Sequence, residues 1–282
     1  MPNNYFDRFI ENALKEDIGD GDHTSLACIP ADAAGKAKLL VKEEGILAGI
    51  TAAEKVFRQL EEDIRLEIFR KDGDHVWPMD VAFFVEGKVH TLLKAERLVL
   101  NIMQRMSGIA TTTRQYVNRL EGLKTKILDT RKTTPGVRFL EKEAVRIGGG
   151  VNHRIGLYDM ILIKDNHIDF AGGIENAIRR THEYLEAKGM RLLIEVEARS
   201  LQDVGKIMET GGVNRIMLDN FGIDDTKKAV ELIGEQYETE SSGGITIENI
   251  RDYAECGVDY ISVGALTHHI KSLDLSLKAV NY

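Results

Sequence analysis

The chain has 282 residues, 43% hydrophobic, 29% charged and 6% aromatic, a globular balance that excludes intrinsic disorder. A net charge of −8 argues against general nucleic-acid or anionic-membrane binding, and no run of about 18 apolar residues is present to span a bilayer. Cys28 and Cys256 stand far apart and outside metal-ligand spacing, and the opening MPNNYFDRFIENALKED lacks the apolar stretch of a secretory signal. Together these read as a cytoplasmic protein in a reducing setting.

From the N-terminus, Phe6, Phe9, Ile10, Ala13 and Leu14 form one stripe and predict a helix over 5–17, followed by a Gly/Asp-rich turn at 19–24. Strands are expected near 38–41, 64–69 and 81–85, with a helix over 51–60 between the first two. A long helix follows from about 92 to 120: Leu98, Val99, Ile102, Met103 and Met106 make its apolar side, and Arg97, Asn101, Gln104 and Arg105 its polar side. Residues 1–120 thus read as an α+β domain.

Residues 121–282 change to alternating strand and helix. Apolar runs at 125–128, 160–163, 192–196, 215–218, 237–240 and 260–263 each precede a helical stretch, near 137–147, 173–187, 200–210, 224–235 and 246–256 and in the C-terminal segment. The fold class expected is α/β: an incomplete, about six-stranded parallel α/β barrel with an N-terminal α+β domain, the last segment packing back on that domain. An open doubly wound sheet is the alternative; the barrel is preferred because it lets the polar residues at the strand ends converge.

Those polar residues follow every strand. The first run ends in Asp129, Thr130, Arg131, Lys132, Thr133 and Thr134, the second in Lys164, Asp165, Asn166 and His167. The third carries Glu195 and Glu197, the fourth ends at Asp219 and Asn220, the fifth at Ser241, Ser242, Gly243 and Gly244, and the sixth at Gly264 and Ala265. The C-terminal strand ends are where a parallel barrel builds its site. Residues 129–167 hold seven Lys/Arg against five Asp/Glu, so a concave site here would attract anions. Arg131 and Arg154 lie in loops and suit carboxylate or phosphate binding, with Lys132, Lys164 and His153 nearby. Arg138, Lys142 and Arg146, spaced i, i+4, i+8, read as a solvated helix face.

Glu195 and Glu197 project to one face of their strand. With Asp219 they suit ribose hydroxyls or water-mediated Mg²⁺; an ion pair with Lys164 is the structural alternative. Ser242-Gly243-Gly244 reads as a phosphate cradle, with Thr246 capping the helix after it. Neither a P-loop nor a G-x-G-x-x-G motif occurs, and His268-His269 reads as surface or structural.

The strings EDIGDGDHTS (16–25), ERLVLNIMQRMSGIAT (96–111), DTRKTTPG (129–136), GGGVNHRIGLYDMILIKDNH (148–167), IEVEARS (194–200), IMLDNF (216–221), ESSGGIT (240–246) and ISVGALTH (261–268) strongly resemble the quinolinate phosphoribosyltransferase family. The likeness covers nearly the whole chain. It implies conversion of quinolinate and phosphoribosyl pyrophosphate to nicotinate mononucleotide, CO₂ and pyrophosphate in de novo NAD synthesis. It also implies Mg²⁺ held mainly through pyrophosphate and water, with Glu195 and Asp219 as candidate ligands. A homodimer with a shared active site is implied, and a higher oligomer is compatible with it. Carried over by position, Thr130, Arg131, Lys132, His153 and Arg154 bind quinolinate, and Arg97 is lent by the neighbouring subunit. Lys132, Lys164, Glu195 and Asp219 take the catalytic positions, with Glu197 assisting at the ribose. Ser242, Gly243, Gly244, Val263, Gly264 and Ala265 match the loops that hold the phosphoribosyl group. No nucleic acid or membrane partner is implied. Three rivals stand beside this reading: a related pyrophosphorylase for another small aromatic acid, a Schiff-base aldolase using Lys164, and a non-catalytic anion-binding module.

Overall fold

A computed structural model describes residues 5–280; Met1 to Asn4 of the amphipathic opening lie outside the described residues. In chain order the first elements are α1 (Tyr5–Ile18), α2 (His23–Cys28), β1 (Ala34–Val41), β2 (Gly45–Ile46), α3 (Ile50–Leu60), β3 (Arg65–Ile68), β4 (His75–Val76), β5 (Val81–Lys88) and α4 (Val89–Arg119). Next come β6 (Lys126–Leu128), α5 (Arg138–Ile147), β7 (Ile161–Ile163), α6 (Asp165–Ala171), α7 (Ile174–Lys188), β8 (Ile194–Ala198) and α8 (Leu201–Thr210). The chain continues through β9 (Arg215–Asp219), α9 (Ile223–Ile233), β10 (Glu238–Ser242), α10 (Ile250–Glu255), β11 (Tyr260–Ser262), α11 (Ala265–His268) and β12 (Leu275–Ala279).

Contacts divide the chain into two units. Among the described residues, one comprises 5–112, Thr134–Gly148 and 269–280; the other comprises Thr113–Thr133 and Gly149–His268. This differs from a single cut at residue 120, and the reason lies in α5. Its Phe139 ring packs within 5.2–5.6 Å of the rings of Tyr5, Phe6 and Phe9 on α1. Its buried Glu141 accepts from Arg105 Nε at 2.7 Å and from the Thr134 N–H at 3.2 Å. The solvated face expected for α5 is corrected by the same packing: Lys142 is only 1% exposed, whereas Arg146 stays at the surface.

The first unit holds a four-stranded antiparallel sheet in the order β12-β1-β5-β3 and a two-stranded ribbon of β2 and β4. The C-terminal segment, expected as helix, is the edge strand β12, in register with β1 from Ala37↔Ala279 to Val41↔Leu275. Leu273, Leu275 and Leu277 are all buried, an alternation of period two that overrides helix propensity. Part of the expected turn at 19–24 is helix, because Asp22 caps α2 by accepting from the Ser25 N–H at 3.0 Å.

The second unit is a six-stranded all-parallel sheet in the order β6-β11-β10-β9-β8-β7. All five residues of β8 are buried, as expected of a parallel strand covered on both faces. β6 and β7 do not pair, so the barrel is incomplete. Val151 forms a single parallel bridge to Leu128 on β6, with its N–H donating to the Ile127 carbonyl at 2.8 Å. That bridge brings the loop carrying His153 and Arg154 alongside the end of β6.

Candidate active site

The C-terminal ends of the parallel strands surround a cavity of about 750 Å³ in the second unit. β6 and its loop contribute Asp129, Thr130, Arg131 and Lys132, and the following loop His153 and Arg154. β7 leads to Lys164, β9 to Asp219 and Asn220, β10 to Glu240, Ser242, Gly243 and Gly244, and β11 to Gly264 and Ala265. Of the residues expected at the site, Arg97, Glu195, Glu197 and Val263 are not in this lining. Arg97 is exposed on α4, while Glu195, Glu197 and Val263 are buried.

The loops are shaped by hydrogen bonds that the motifs alone do not reveal. Buried Asp129 accepts from the His153 N–H at 2.9 Å, tying the second loop to the end of β6. Thr130 Oγ1 accepts from the Lys132 N–H at 3.0 Å, and Thr267 Oγ1 donates to the Lys132 carbonyl at 2.8 Å. Gly264 permits close packing: a Cβ there would lie 2.8 Å from His268 Nε2 and 3.1 Å from Lys132 Cδ.

Arg154 is 9% exposed, and among the described hydrogen bonds its guanidinium meets the Met160 carbonyl at 3.3 Å. Burial and the charge of Arg131 both hold its pKa below the usual arginine value. Two guanidiniums that repel one another, one of them largely buried, make a site that gains from an incoming anion. His153 is oriented from both sides. The Arg154 N–H donates to its Nδ1 at 2.8 Å, which fixes the proton on Nε2, and Nε2 donates to Glu195 Oε2 at 2.8 Å with Glu240 Oε2 at 3.5 Å. Burial lowers the basicity of the ring and hydrogen bonds to Glu195 and Glu240 raise it above that of a free imidazole, while the Arg154 N–H, which needs the Nδ1 lone pair, works against a second proton. Glu195 is pushed up to about 7 by burial and by the charge of Glu240, against the pull of His153.

Lys164 Nζ lies 4.0 Å from Glu197 Oε2, so the lysine–acid contact forms with Glu197. Burial, then the neighbouring Asp219 charge, raises the Glu197 pKa. Asn220 adopts φ 57°, its N–H donates to the Ser242 carbonyl at 2.8 Å, and its side-chain amide donates to Asp219 Oδ2 at 2.6 Å. Asparagine tolerates this left-handed backbone, which was the available sequence signal for it. Gly243 and Gly244 have φ of 92° and 61°. The helix expected directly after them begins only at Ile250; Thr246 is no helix cap, because its N–H donates to Asn249 Oδ1 at 2.8 Å in an intervening turn. Backbone amides of the glycine turn, not a helix terminus, are what this loop offers an anion.

The residues fit Mg²⁺ in part. Atoms of His153, Glu195 and Glu240 lie within 4.8 Å of one another. Yet Nε2 of His153 keeps its proton, Arg215 already occupies Glu240, and Mg²⁺ takes oxygen ligands, so this trio does not suit it. Glu195, fully buried against His153, is likewise a poor ligand. Asp219, half-buried on the cavity wall, fits a hydrated ion. Glu240 and Arg215 had not been singled out from sequence, since a charged residue inside a strand gives no local sign of what it faces.

Comparison with known proteins follows this geometry. Residues 22–107 match the family description "Quinolinate phosphoribosyl transferase, N-terminal domain", and residues 109–278 match its C-terminal domain. A curated relative from Arabidopsis thaliana, "Nicotinate-nucleotide pyrophosphorylase [carboxylating], chloroplastic", is 46% identical over 95% of this chain and 81% of its own length. The "Probable nicotinate-nucleotide pyrophosphorylase [carboxylating]" of Bacillus subtilis is 43% identical over 96% of this chain and 92% of its own. The crystal structure of NadC from Streptococcus pyogenes superposes with a TM-score of 0.93 at 37% identity, covering 100% of this chain and 99% of that one. With the two domain descriptions matched over residues 22–107 and 109–278 and a cationic cavity at the strand ends, this chain belongs to the quinolinate phosphoribosyl transferase family.

Proposed function

We propose that the chain transfers the phosphoribosyl group of phosphoribosyl pyrophosphate to quinolinate, releasing pyrophosphate and CO₂ and forming nicotinate mononucleotide for de novo NAD synthesis. The observation that carries this reading is the largely buried Arg154 beside Arg131 at a cavity, with His153 held next to them. Quinolinate carries two adjacent carboxylates, and fixed guanidiniums offset the desolvation of such a dianion. Thr130 sets the turn that presents Arg131 and Lys132.

In the first step the bond between C1′ and the pyrophosphate oxygen breaks and the quinolinate nitrogen bonds to C1′. The transition state is oxocarbenium-like, and the carboxylates of Asp219 and Glu197 stabilise positive charge on the ribose ring. Lys132 and Lys164 neutralise the departing pyrophosphate. Mg²⁺, bound through pyrophosphate, water and Asp219, would add positive charge to the same leaving group. The backbone of Ser242, Gly243 and Gly244, with Gly264 and Ala265, holds the 5′-phosphate; Val263 takes no part, because it is buried and its N–H donates to the Leu128 carbonyl at 3.0 Å. In the second step the bond from C2 to its carboxylate breaks, the electron pair remains on C2 beside the cationic ring nitrogen, and C2 takes up a proton.

The rest of the proposal is a homodimer in which Arg97 of one copy completes the site of the other, working in the cytoplasm. Free Cys28 and Cys256 accord with a reducing compartment, and no helix among the described residues is long and apolar enough to cross a membrane. Product analysis tests the function. Protein incubated with quinolinate, phosphoribosyl pyrophosphate and Mg²⁺ should give nicotinate mononucleotide and pyrophosphate in equal amounts by proton and phosphorus NMR. Unchanged substrates would leave only an anion-binding module, and a borohydride-trapped adduct at Lys164 would favour an aldolase.

A further inference from the structure

A ladder of charges runs through the interior of the parallel sheet beneath the cavity, and the reaction as described does not use its lower half. At the outer end, Glu238 at the start of β10 accepts from Arg215 Nη2 at 2.9 Å and Nε at 3.2 Å, and from the Tyr260 hydroxyl at 3.3 Å. The guanidinium of Arg215 lies 4.0 Å from the centre of the Tyr260 ring. Its Nη1 then reaches inward to Glu240 Oε2 at 3.1 Å. Glu240 Oε2 is also 3.5 Å from His153 Nε2, the nitrogen that donates to Glu195 at 2.8 Å.

Within the ladder Glu195, Glu240 and Arg215 are buried, while Glu238 at its outer end is exposed. Glu195 and Glu240 are 0% exposed and Arg215 8%. The register explains the meeting. β9 lies between β8 and β10, with Glu195 and Glu238 both opposite Arg215 and Glu240 opposite Met217. Neighbouring strands thus bring two inward carboxylates to one cation. Buried charges on this scale weigh against stability unless each is matched, and a row of them ending at a cavity points to a task there. Burial and the charge of Glu240 push Glu195 up to about 7, so the two carboxyls weigh on one another at the foot of the cavity.

Resting on the phosphoribosyl-transfer reading above, we infer that Glu240 and Arg215 are positioning residues of this site. Glu240 fixes the Glu195–His153 pair from below, and Arg215 fixes Glu240. Both act through His153, whose other nitrogen accepts from the Arg154 N–H and so ties the ladder to the backbone of a quinolinate-binding arginine. Removing the Glu240 charge frees the His153 ring to turn and loosens the Arg154 loop. It leaves the glycine turn in place, because Ser242, just before it, is tied to the end of β9 by the Asn220 N–H donating to its carbonyl at 2.8 Å. Asp129, Arg131 and Arg154 also surround His153 and keep their places in this scheme.

The test combines Glu240→Gln, Arg215→Lys and Arg215→Met in the full-length protein, with folding followed by circular dichroism. In Glu240→Gln the KM for quinolinate should rise at least tenfold, while the KM for phosphoribosyl pyrophosphate stays within twofold. Arg215→Met should reproduce that pattern, and Arg215→Lys, which keeps the charge but not the fork, should restore most of the quinolinate affinity. Nitrogen-15 NMR of labelled histidine, which needs no substrate, should show His153 titrating at least one pH unit lower in Glu240→Gln than in wild type. An unchanged quinolinate KM together with an unchanged His153 titration in a folded Glu240→Gln overturns the inference. If Glu240→Gln does not fold, equal quinolinate KM values for wild type, Arg215→Lys and Arg215→Met overturn it instead. Wild-type protein that fails to turn over quinolinate would refute the functional reading alone, since the His153 titration would still report on the ladder.

Discussion

Replacing Gly243 or Gly244 with alanine separates backbone strain from steric clash in the proposed phosphate loop. A Cβ on Gly244, at φ 61°, would meet nothing within 4 Å. Its cost is that of left-handed backbone alone, about 1–2 kcal/mol, or roughly five- to thirtyfold in kcat/KM for phosphoribosyl pyrophosphate. A Cβ on Gly243, at φ 92°, would lie 2.6 Å from Cγ and 3.0 Å from the backbone N of Asn220. Asn220 cannot simply step aside, because its N–H is bonded to the Ser242 carbonyl and its side chain to Asp219. Relief must therefore shift the end of β9 with the loop, for a total of about 3–5 kcal/mol, or a hundredfold to several thousandfold. Steady-state kinetics at saturating quinolinate, with phosphoribosyl pyrophosphate varied, measures the loss. Quinolinate affinity, read by calorimetry, should stay within about threefold in both variants. Equal losses in the two variants, or quinolinate affinity falling in parallel, would refute the reasoning.

Arg154→Ala or Arg131→Ala should lower kcat/KM for quinolinate by about 2–5 kcal/mol, the range for breaking a buried charge pair, or thirtyfold to several thousandfold; near-wild-type turnover removes the dianion site. If Arg97 serves the neighbouring copy, Arg97→Ala and Arg154→Ala homodimers are each nearly inactive, and a refolded random mixture recovers about a quarter of wild-type activity, because half the dimers are mixed and each carries one intact site. No recovery, with mixed dimers shown to be present, would place Arg97 elsewhere. Stability should carry a pH signature from His153. Glu195 and Glu240 raise its folded pKa above the ordinary histidine value of 6.5, so its contribution is present below about pH 6.5 and is lost as pH rises through the folded pKa. The difference in melting temperature between wild type and His153→Asn should therefore be larger at pH 6 than at pH 9.5, and a pH-independent difference contradicts the assignment. Asp219→Asn should raise the Mg²⁺ concentration needed for half-maximal turnover, and an unchanged requirement would exclude Asp219 as a ligand.

The parallel half of the fold was legible because its strands are short, evenly spaced and each closed by a polar cluster: the run at 215–218 became Arg215–Asp219, and that at 237–240 became Glu238–Ser242 although that strand holds no apolar residue. The same regularity concealed α5, which follows β6 in sequence but belongs by its contacts to the other unit, since Phe139 and Glu141 find their partners there. The C-terminal segment was misread because a five-residue alternation at an edge is easily taken for the end of a helical run. At the site, loop residues such as Arg131 and Arg154 stood out by charge in turns. Glu240 and Arg215 did not, because their meaning depends on strand order, which one sequence does not display. The helix after Gly244 was placed too early for a related reason: the Thr246–Asn249 turn uses residues that also favour helix starts.

The central claim is that the buried Arg154 guanidinium and the exposed Arg131 beside it select an aromatic dianion, and that its decarboxylation accompanies phosphoribosyl transfer. Quinolinate labelled with carbon-13 in the 2-carboxylate, supplied with phosphoribosyl pyrophosphate and Mg²⁺ beside a parallel reaction on nicotinate, tests it most directly. The account predicts one labelled CO₂ per pyrophosphate, no CO₂ when phosphoribosyl pyrophosphate is omitted, and a kcat/KM for nicotinate lower by at least about thirtyfold, the smaller end of the cost of losing one charge-paired carboxylate. Turnover of nicotinate as fast as quinolinate, or CO₂ release without phosphoribosyl pyrophosphate, would contradict it.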